Sequence, residues 1–220
     1  IQIYWCKNCS IPIIHLSTAV DKGICPICKG KTYYLTPDLR PVFPEERLLL
    51  AILLRKEPDT YMNHSVWAAY TDTILMEIIP AKIFAEADTN KIAKKIAKYS
   101  GNVDYTFFSE SISLFVQANQ HRLAYLKDEA FAFVQQAAKK YKEENIVISF
   151  SGGKDSTVTA DVVIKALSNP SLVHIFGDTT LEFPATIDYA SRYRDTHPLA
   201  IFQTAKNDEQ IFYDVCKDIG

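Results

Sequence analysis

The chain has almost no charge of one sign to spare: 24 Lys+Arg face 26 Asp+Glu, a formal charge of −2 over 220 residues. That balance removes any global electrostatic drive toward nucleic acid or an anionic membrane and leaves only local patches to consider. No apolar run approaches the roughly 20 residues that a membrane-spanning helix needs, and the densest, at 48–54, is far too short. No secretory signal opens the chain, and the first residue is Ile1, so the natural start is expected to lie upstream. Glycine is scarce, at seven, and two of the seven are adjacent at Gly152-Gly153, which marks that place for a tight backbone structure. The rest is ordinary globular composition, 48% hydrophobic and 23% charged, which excludes a disordered or collagen-like chain.

Cysteine is also sparse, but its placement is informative. Four of the five fall as Cys6-x2-Cys9-x15-Cys25-x2-Cys28, and Cys216 stands apart. Two such pairs suit a tetrahedral four-thiolate zinc site, each pair forming one knuckle, with no open position for chemistry. Pro26 and Gly30 suit the sharp second turn and its N–H···S contacts. His15 is an alternative ligand but reads better as a strand residue. Thiols used this way imply a reducing compartment, so the expected location is cytoplasmic. Cys216 reads as a core residue.

The chain divides by pattern into three stretches. Residues 1–36 are a zinc ribbon, with strands expected at 1–5, 11–16 and 31–35, too small to fold without the metal. Residues 37–116 form an α+β middle segment. It opens with a proline-rich linker at 36–44, then a helix at 45–55. Strands are expected at 66–69 and 73–79, and a helix at 88–99 capped by Asp88. A long helix over 117–143 is expected to bury Leu123, Leu126, Ala130, Phe133, Val134 and Ala137. From 146 the rhythm changes to strands at 146–150, 172–176 and 199–202, alternating with helices at 155–167, 184–194 and 208–217. This is the signature of an α/β fold, a doubly wound parallel sheet. Only three strands fit before Gly220, so residues 117–220 are expected to be an incomplete domain.

The strongest chemical signal is where the first of these strands enters its helix. The apolar run through Ser149 and Phe150 leads into Ser151-Gly152-Gly153-Lys154-Asp155-Ser156. Glycines admit an anion to the backbone, and the N–H groups of the following helix start cradle phosphate. Ser151 and Ser156 add hydroxyls and Lys154 a point charge. Asp155 beside phosphate makes sense with a Mg²⁺ between them, the alternative being a first-turn helix residue. The pattern is neither the Walker loop nor G-x-G-x-x-G. A second candidate is Asp178-Thr179, at the carboxyl end of the next strand, where doubly wound sheets bind ligands.

Ser151 to Ser156 fits every position of the S-G-G-x-D-S loop of the ATP pyrophosphatase superfamily. The stretch from Phe176 to Thr186 resembles the D-T-G-x-E-F-P-E-T segment of the phosphoadenosine phosphosulfate (PAPS) reductase family, with Thr180 where the family has Gly. Some members carry an N-terminal ribbon. The resemblance, over roughly residues 120–220, implies an adenosine-nucleotide site formed by Ser149, Phe150, Ser151, Gly152, Gly153, Lys154, Asp155, Ser156, Asp178 and Thr179. Within it, Lys154, Asp155 and Asp178 are the catalytic candidates. It implies ATP with Mg²⁺, a sulfur donor or thiol reductant as partner, and, for some members, an iron–sulfur cluster or reactive Cys beyond this chain.

Three functions compete. The intact loop favours cleavage of ATP between its α and β phosphates and adenylylation of a substrate, in sulfur transfer or thiolation. The family resemblance alternatively implies a reductase taking PAPS or adenylyl sulfate to sulfite. The third is a nucleic-acid-binding module with a nucleotide switch, gripping through the ribbon or through Lys91, Lys94, Lys95 and Lys98, with Lys82 near. A solvated helix face is the plainer reading of those lysines. Tyr105, Phe107 and Phe108 read as packing rather than a base-stacking platform.

Overall fold

A computed structural model describes residues 2–15, 23–36, 39–68, 73–74, 77–78, 87–99, 101, 103–206 and 217. The chain forms two compact units, residues 1–123 and 124–220. Lys82, Cys216 and most of the expected last helix at 208–217 lie outside the described residues.

The first unit opens with three antiparallel strands, β1 (Gln2–Cys6), β2 (Ile11–His15) and β3 (Thr32–Thr36), in the order β2-β1-β3. Pro12 sits on edge strand β2, where a missing N–H interrupts no ladder. Cys6, Ile11, Ile13 and Cys25 are fully buried and pack on Ala118 and Leu114. Those two belong to a helix that the sequence pattern missed, α3 (Thr106–Ala118).

Where one helix over 117–143 was expected, the chain breaks at Asn119. Helix α4 runs from Gln120 to Ala138. Asn119, only 3% exposed, explains the break. Its side-chain Oδ1 accepts the Ile14 N–H (2.7 Å), and its Nδ2 donates to the carbonyls of Pro12 (3.0 Å) and Phe115 (2.8 Å). The amide thus pairs with the free edge of β2 as another strand would. Asn119→Ala orphans both groups of β2 and is expected to cost about 2–4 kcal/mol in denaturant unfolding. Unchanged stability would refute the clamp. The expected burial on α4 is also corrected: Phe133 is 72% exposed and Ala137 is exposed too, while Leu123, Leu126, Ala130 and Val134 are only half-buried.

The stretch expected to be a linker is structured in part. β4 (Arg40–Pro41) pairs with β5 (Trp67–Ala68), and Val42 enters a core with Leu50, Ala51, Tyr61 and Val66. Proline is tolerated there because β4 lies at the end of its sheet. Helix α1 (Pro44–Leu53) starts on proline, and Glu46 accepts the Phe43 N–H (3.0 Å) while forking Arg40. The run 73–79 is two strands, not one: β6 (Thr73–Ile74) pairs antiparallel with β7 (Glu77–Ile78). Apolar residues at 75–76 hid that reversal from a pattern search. Helix α2 (Thr89–Tyr99) begins where Asp88 accepts the Lys91 N–H. Phe108 packs on Phe43 and Tyr105, as the packing reading expects.

The second unit carries a parallel sheet, β8 (Val147–Phe150), β9 (Val173–Asp178) and β10 (Ile201–Lys206), in the order β10-β9-β8. Helices α5 (Lys154–Leu167) and α6 (Pro184–Thr196) connect them. Right-handed crossovers that advance one way across a sheet place consecutive helices on one face. Accordingly Ile148, Phe150 and Phe176 share a core with Ala160 of α5 and Ala190 and Tyr193 of α6. Strand β8 is buried at alternate residues, with Ile148 and Phe150 toward these helices and Val147 exposed. Among the described residues no helix is long and apolar enough to cross a membrane.

Candidate functional site

In the ribbon, β1 delivers Cys6 and the turn after it Cys9, while a second knuckle holds Cys25 and Cys28. The four sulfurs all lie within 4.8 Å of one another. Cys6 and Cys28 are 3.5 Å apart and Cys9 and Cys25 3.9 Å. A tetrahedral zinc with Zn–S bonds near 2.3 Å sets sulfurs about 3.8 Å apart, so the donor set fits that metal. The residue after each pair, Ser10 (φ +53°) and Lys29 (φ +59°), takes the left-handed turn. Gly30 lies close against the second knuckle. A Cβ there would lie 2.7 Å from Asn8 Nδ2 and 3.2 Å from Cys28 Sγ. The Gly30 N–H points at Cys28 Sγ (3.4 Å) and, more than any other contact, lowers that thiol to about 7. Burial pushes Cys6 and Cys9 upward. His15 lies edge-on to Tyr4 rather than in the cluster.

At the second unit, parallel register brings the carboxyl ends of the strands to one edge. Phe150 is level with Phe176, and Asp178 with Lys206. From Phe150 the chain turns through Ser151 and Gly152 into α5. Gly152 has φ +74°, which favours glycine, and a Cβ there would crowd Thr186 Cγ2 at 3.1 Å. Gly153 is the N-cap of α5 with no side-chain cap bond, and the first intrahelical bond runs from Thr157 N–H to Gly153 O (3.1 Å). The N–H groups of the first turn therefore have no intrahelical partner, and their dipole favours an anion. Ser156 staples the loop instead of standing free. Its Oγ accepts the Ser151 N–H (3.2 Å) and donates to Gly153 O (3.0 Å).

Lys154 and Asp155 are both exposed and paired with each other at 2.6 Å. Such a pair contributes little to stability and is available to a ligand. Ser149 lies exposed on β8, and Phe150 is buried at 1%, so only its backbone reaches the loop. Asp178 accepts the Thr180 N–H on Oδ1 (2.9 Å), while Oδ2 lies 3.8 Å from Lys206 Nζ. Thr179 donates to Glu182 (2.9 Å). Lys206 escaped the sequence reading. The expected third strand stopped at 202, short of it, and only the register of the observed strand brings it level with Asp178.

Thr180 keeps a left-handed turn at φ +65° despite its branched side chain. Thr180→Gly is expected to stabilise the protein by about 0.5–1 kcal/mol, once glycine's own flexibility is counted. Urea unfolding measures it, and a loss of stability would show that the threonine is held by something else.

Comparison with known proteins places the second unit's loop and strands within a family match. Residues 145–215 match the family model of the phosphoadenosine phosphosulfate reductase domain. Two uncharacterized proteins of Methanocaldococcus jannaschii are similar. One is 36% identical over 83 residues, covering 38% of this chain and 17% of that protein. The other is 33% identical over 92 residues, covering 41% and 22%. The match thus spans under a quarter of the length of either relative. No solved structure matches the chain.

Proposed function

We propose that the domain at 145–215 belongs to an enzyme that binds ATP at Ser151–Ser156 and cleaves it between the α and β phosphates. An acceptor nucleophile bonds to the α phosphorus, the bond to the bridging oxygen breaks, and pyrophosphate leaves carrying that oxygen. The observation that supports this reading is the uncapped start of α5 beside Gly152, at the strand edge that also presents Asp178 and Lys206. Amides of the first turn and the Lys154 ammonium would hold the departing phosphates and stabilise charge as it gathers there. Asp155 would hold a magnesium ion, which supplies charge neutralisation. Asp178 would orient the nucleotide or acceptor, fixed by the Thr180 N–H and Lys206.

The domain match favours a second reading, in which the same loop holds a sulfonucleotide. Its sulfate sulfur would then take two electrons from a dithiol reductant and leave as sulfite. Incubating the protein with ATP and magnesium, and separately with PAPS or adenylyl sulfate and a dithiol, distinguishes them. Pyrophosphate release supports the first reading and sulfite release the second. ADP and phosphate as the ATP products would overturn the first.

A further inference from the structure

The unit at 1–123 holds a cation-lined cleft that the nucleotide reading leaves unused. Helix α1 ends at Leu53, and Arg55 departs in the left-handed region at φ +57°. Together with the start of α2 it bounds a cavity of about 490 Å³. Ile52, Leu53 and Ile92 form the apolar part of its lining, and Arg55, Lys91 and Lys95 the cationic part. All three cations are exposed. Among the described residues Asp88 is the one carboxylate in the lining, paired with Lys91 at 3.2 Å.

Three observations say what the cleft takes. First, α2 contains four lysines and no acidic residue, at spacings of three and four that set like charges on neighbouring turns. Such pairs weaken a helix, whereas α5 of the same chain pairs Lys165 with Asp161 across one turn. The helix thus carries a repulsion that a bound polyanion would relieve. Second, Ile92 is turned into the cavity beside Ile52 and Leu53, so the cleft sets an apolar floor beside its cations. Third, Lys91 and Lys95 stand one turn apart, about 6 Å along the axis, comparable to the step between successive phosphates of a strand. An arginine beside them offers a fork suited to phosphate oxygens.

We propose that this cleft binds the phosphate backbone of a nucleic acid, with Arg55, Lys91 and Lys95 each contacting a phosphate. Contacts of this kind position a strand without reading its sequence. The proposal is independent of the nucleotide reading, because it uses none of the loop residues.

The test is fluorescence anisotropy of the full chain with a labelled single-stranded RNA 20-mer between 50 and 200 mM salt, with labelled duplex DNA as a second arm. The variant R55Q/K91Q/K95Q is expected to bind at least about tenfold more weakly at low salt, with a log–log salt slope shallower by about 2. R55K/K91R/K95R is expected to bind like the parent, and Lys154→Ala likewise. Binding of duplex with the same variant dependence also supports the backbone contact. The proposal is overturned if neither nucleic acid binds, if the glutamine variant binds as well as the parent, or if Lys154→Ala loses as much. Preferential binding to phosphatidylserine vesicles, lost in the glutamine variant, would overturn it in favour of a membrane surface.

Discussion

Cys25→Ser is expected to strip the ribbon of its metal and unfold residues 2–36. The side chain is completely buried against Cys6, Ile11, Ile13 and Ala118, and its sulfur stands 3.9 Å from that of Cys9. Structural zinc in small modules contributes on the order of 10 kcal/mol, and a ribbon this short has no comparable core to replace it. The expected result is a fall in bound zinc from one equivalent to none, with tryptic cleavage appearing inside the ribbon. Serine at Cys216 serves as the control and should leave zinc content unchanged. Retained zinc and an intact ribbon in the Cys25 variant would refute the four-thiolate site.

Acid should act in the same direction. Zinc binds thiolates, and burial holds Cys6 and Cys9 above the ordinary thiol value, so capture must expel their protons. Cys28, at about 7, is the group most ready to ionise. Apparent affinity is therefore expected to fall with falling pH, by about tenfold per unit for each proton expelled. A flat zinc affinity between pH 8 and pH 6 would contradict this.

The second large effect lies at the phosphate loop. Lys154→Ala is expected to lower the kcat/KM for pyrophosphate release by about 100- to 1000-fold. Stability should stay within about 0.5 kcal/mol, because the side chain is exposed and its pairing with Asp155 contributes little. Gly152→Ala tests the same site through the backbone. A methyl there meets both a left-handed φ and Thr186, so nucleotide binding should be lost by the loop's displacement, with every charge retained. Titration with a fluorescent ATP analogue separates the two. The Lys154 variant is expected to bind weakly and the Gly152 variant not at all. Undiminished turnover in the Lys154 variant would remove it from the proposed chemistry.

Much of this protein was legible in one dimension. Two Cys-x2-Cys pairs determined the four-cysteine cluster because their chemistry is local: each knuckle is built within five residues. The strand–turn–helix at 146–167 was legible for the same reason, since apolar runs, paired glycines and a helix start follow one another directly in the chain. What tertiary structure decided was every relation across distance. Asn119 reads as an ordinary polar residue in a helical pattern, until β2, more than a hundred positions earlier, supplies the backbone groups that its amide bonds. Lys206 becomes a neighbour of Asp178 only through parallel register. Arg55, Lys91 and Lys95 share a cleft only because α1 ends where α2 begins. Periodicity also placed Phe133 and Ala137 on the inner face of their helix, and both are exposed. A pattern records which residues share a face, whereas burial depends on what the rest of the chain brings against that face.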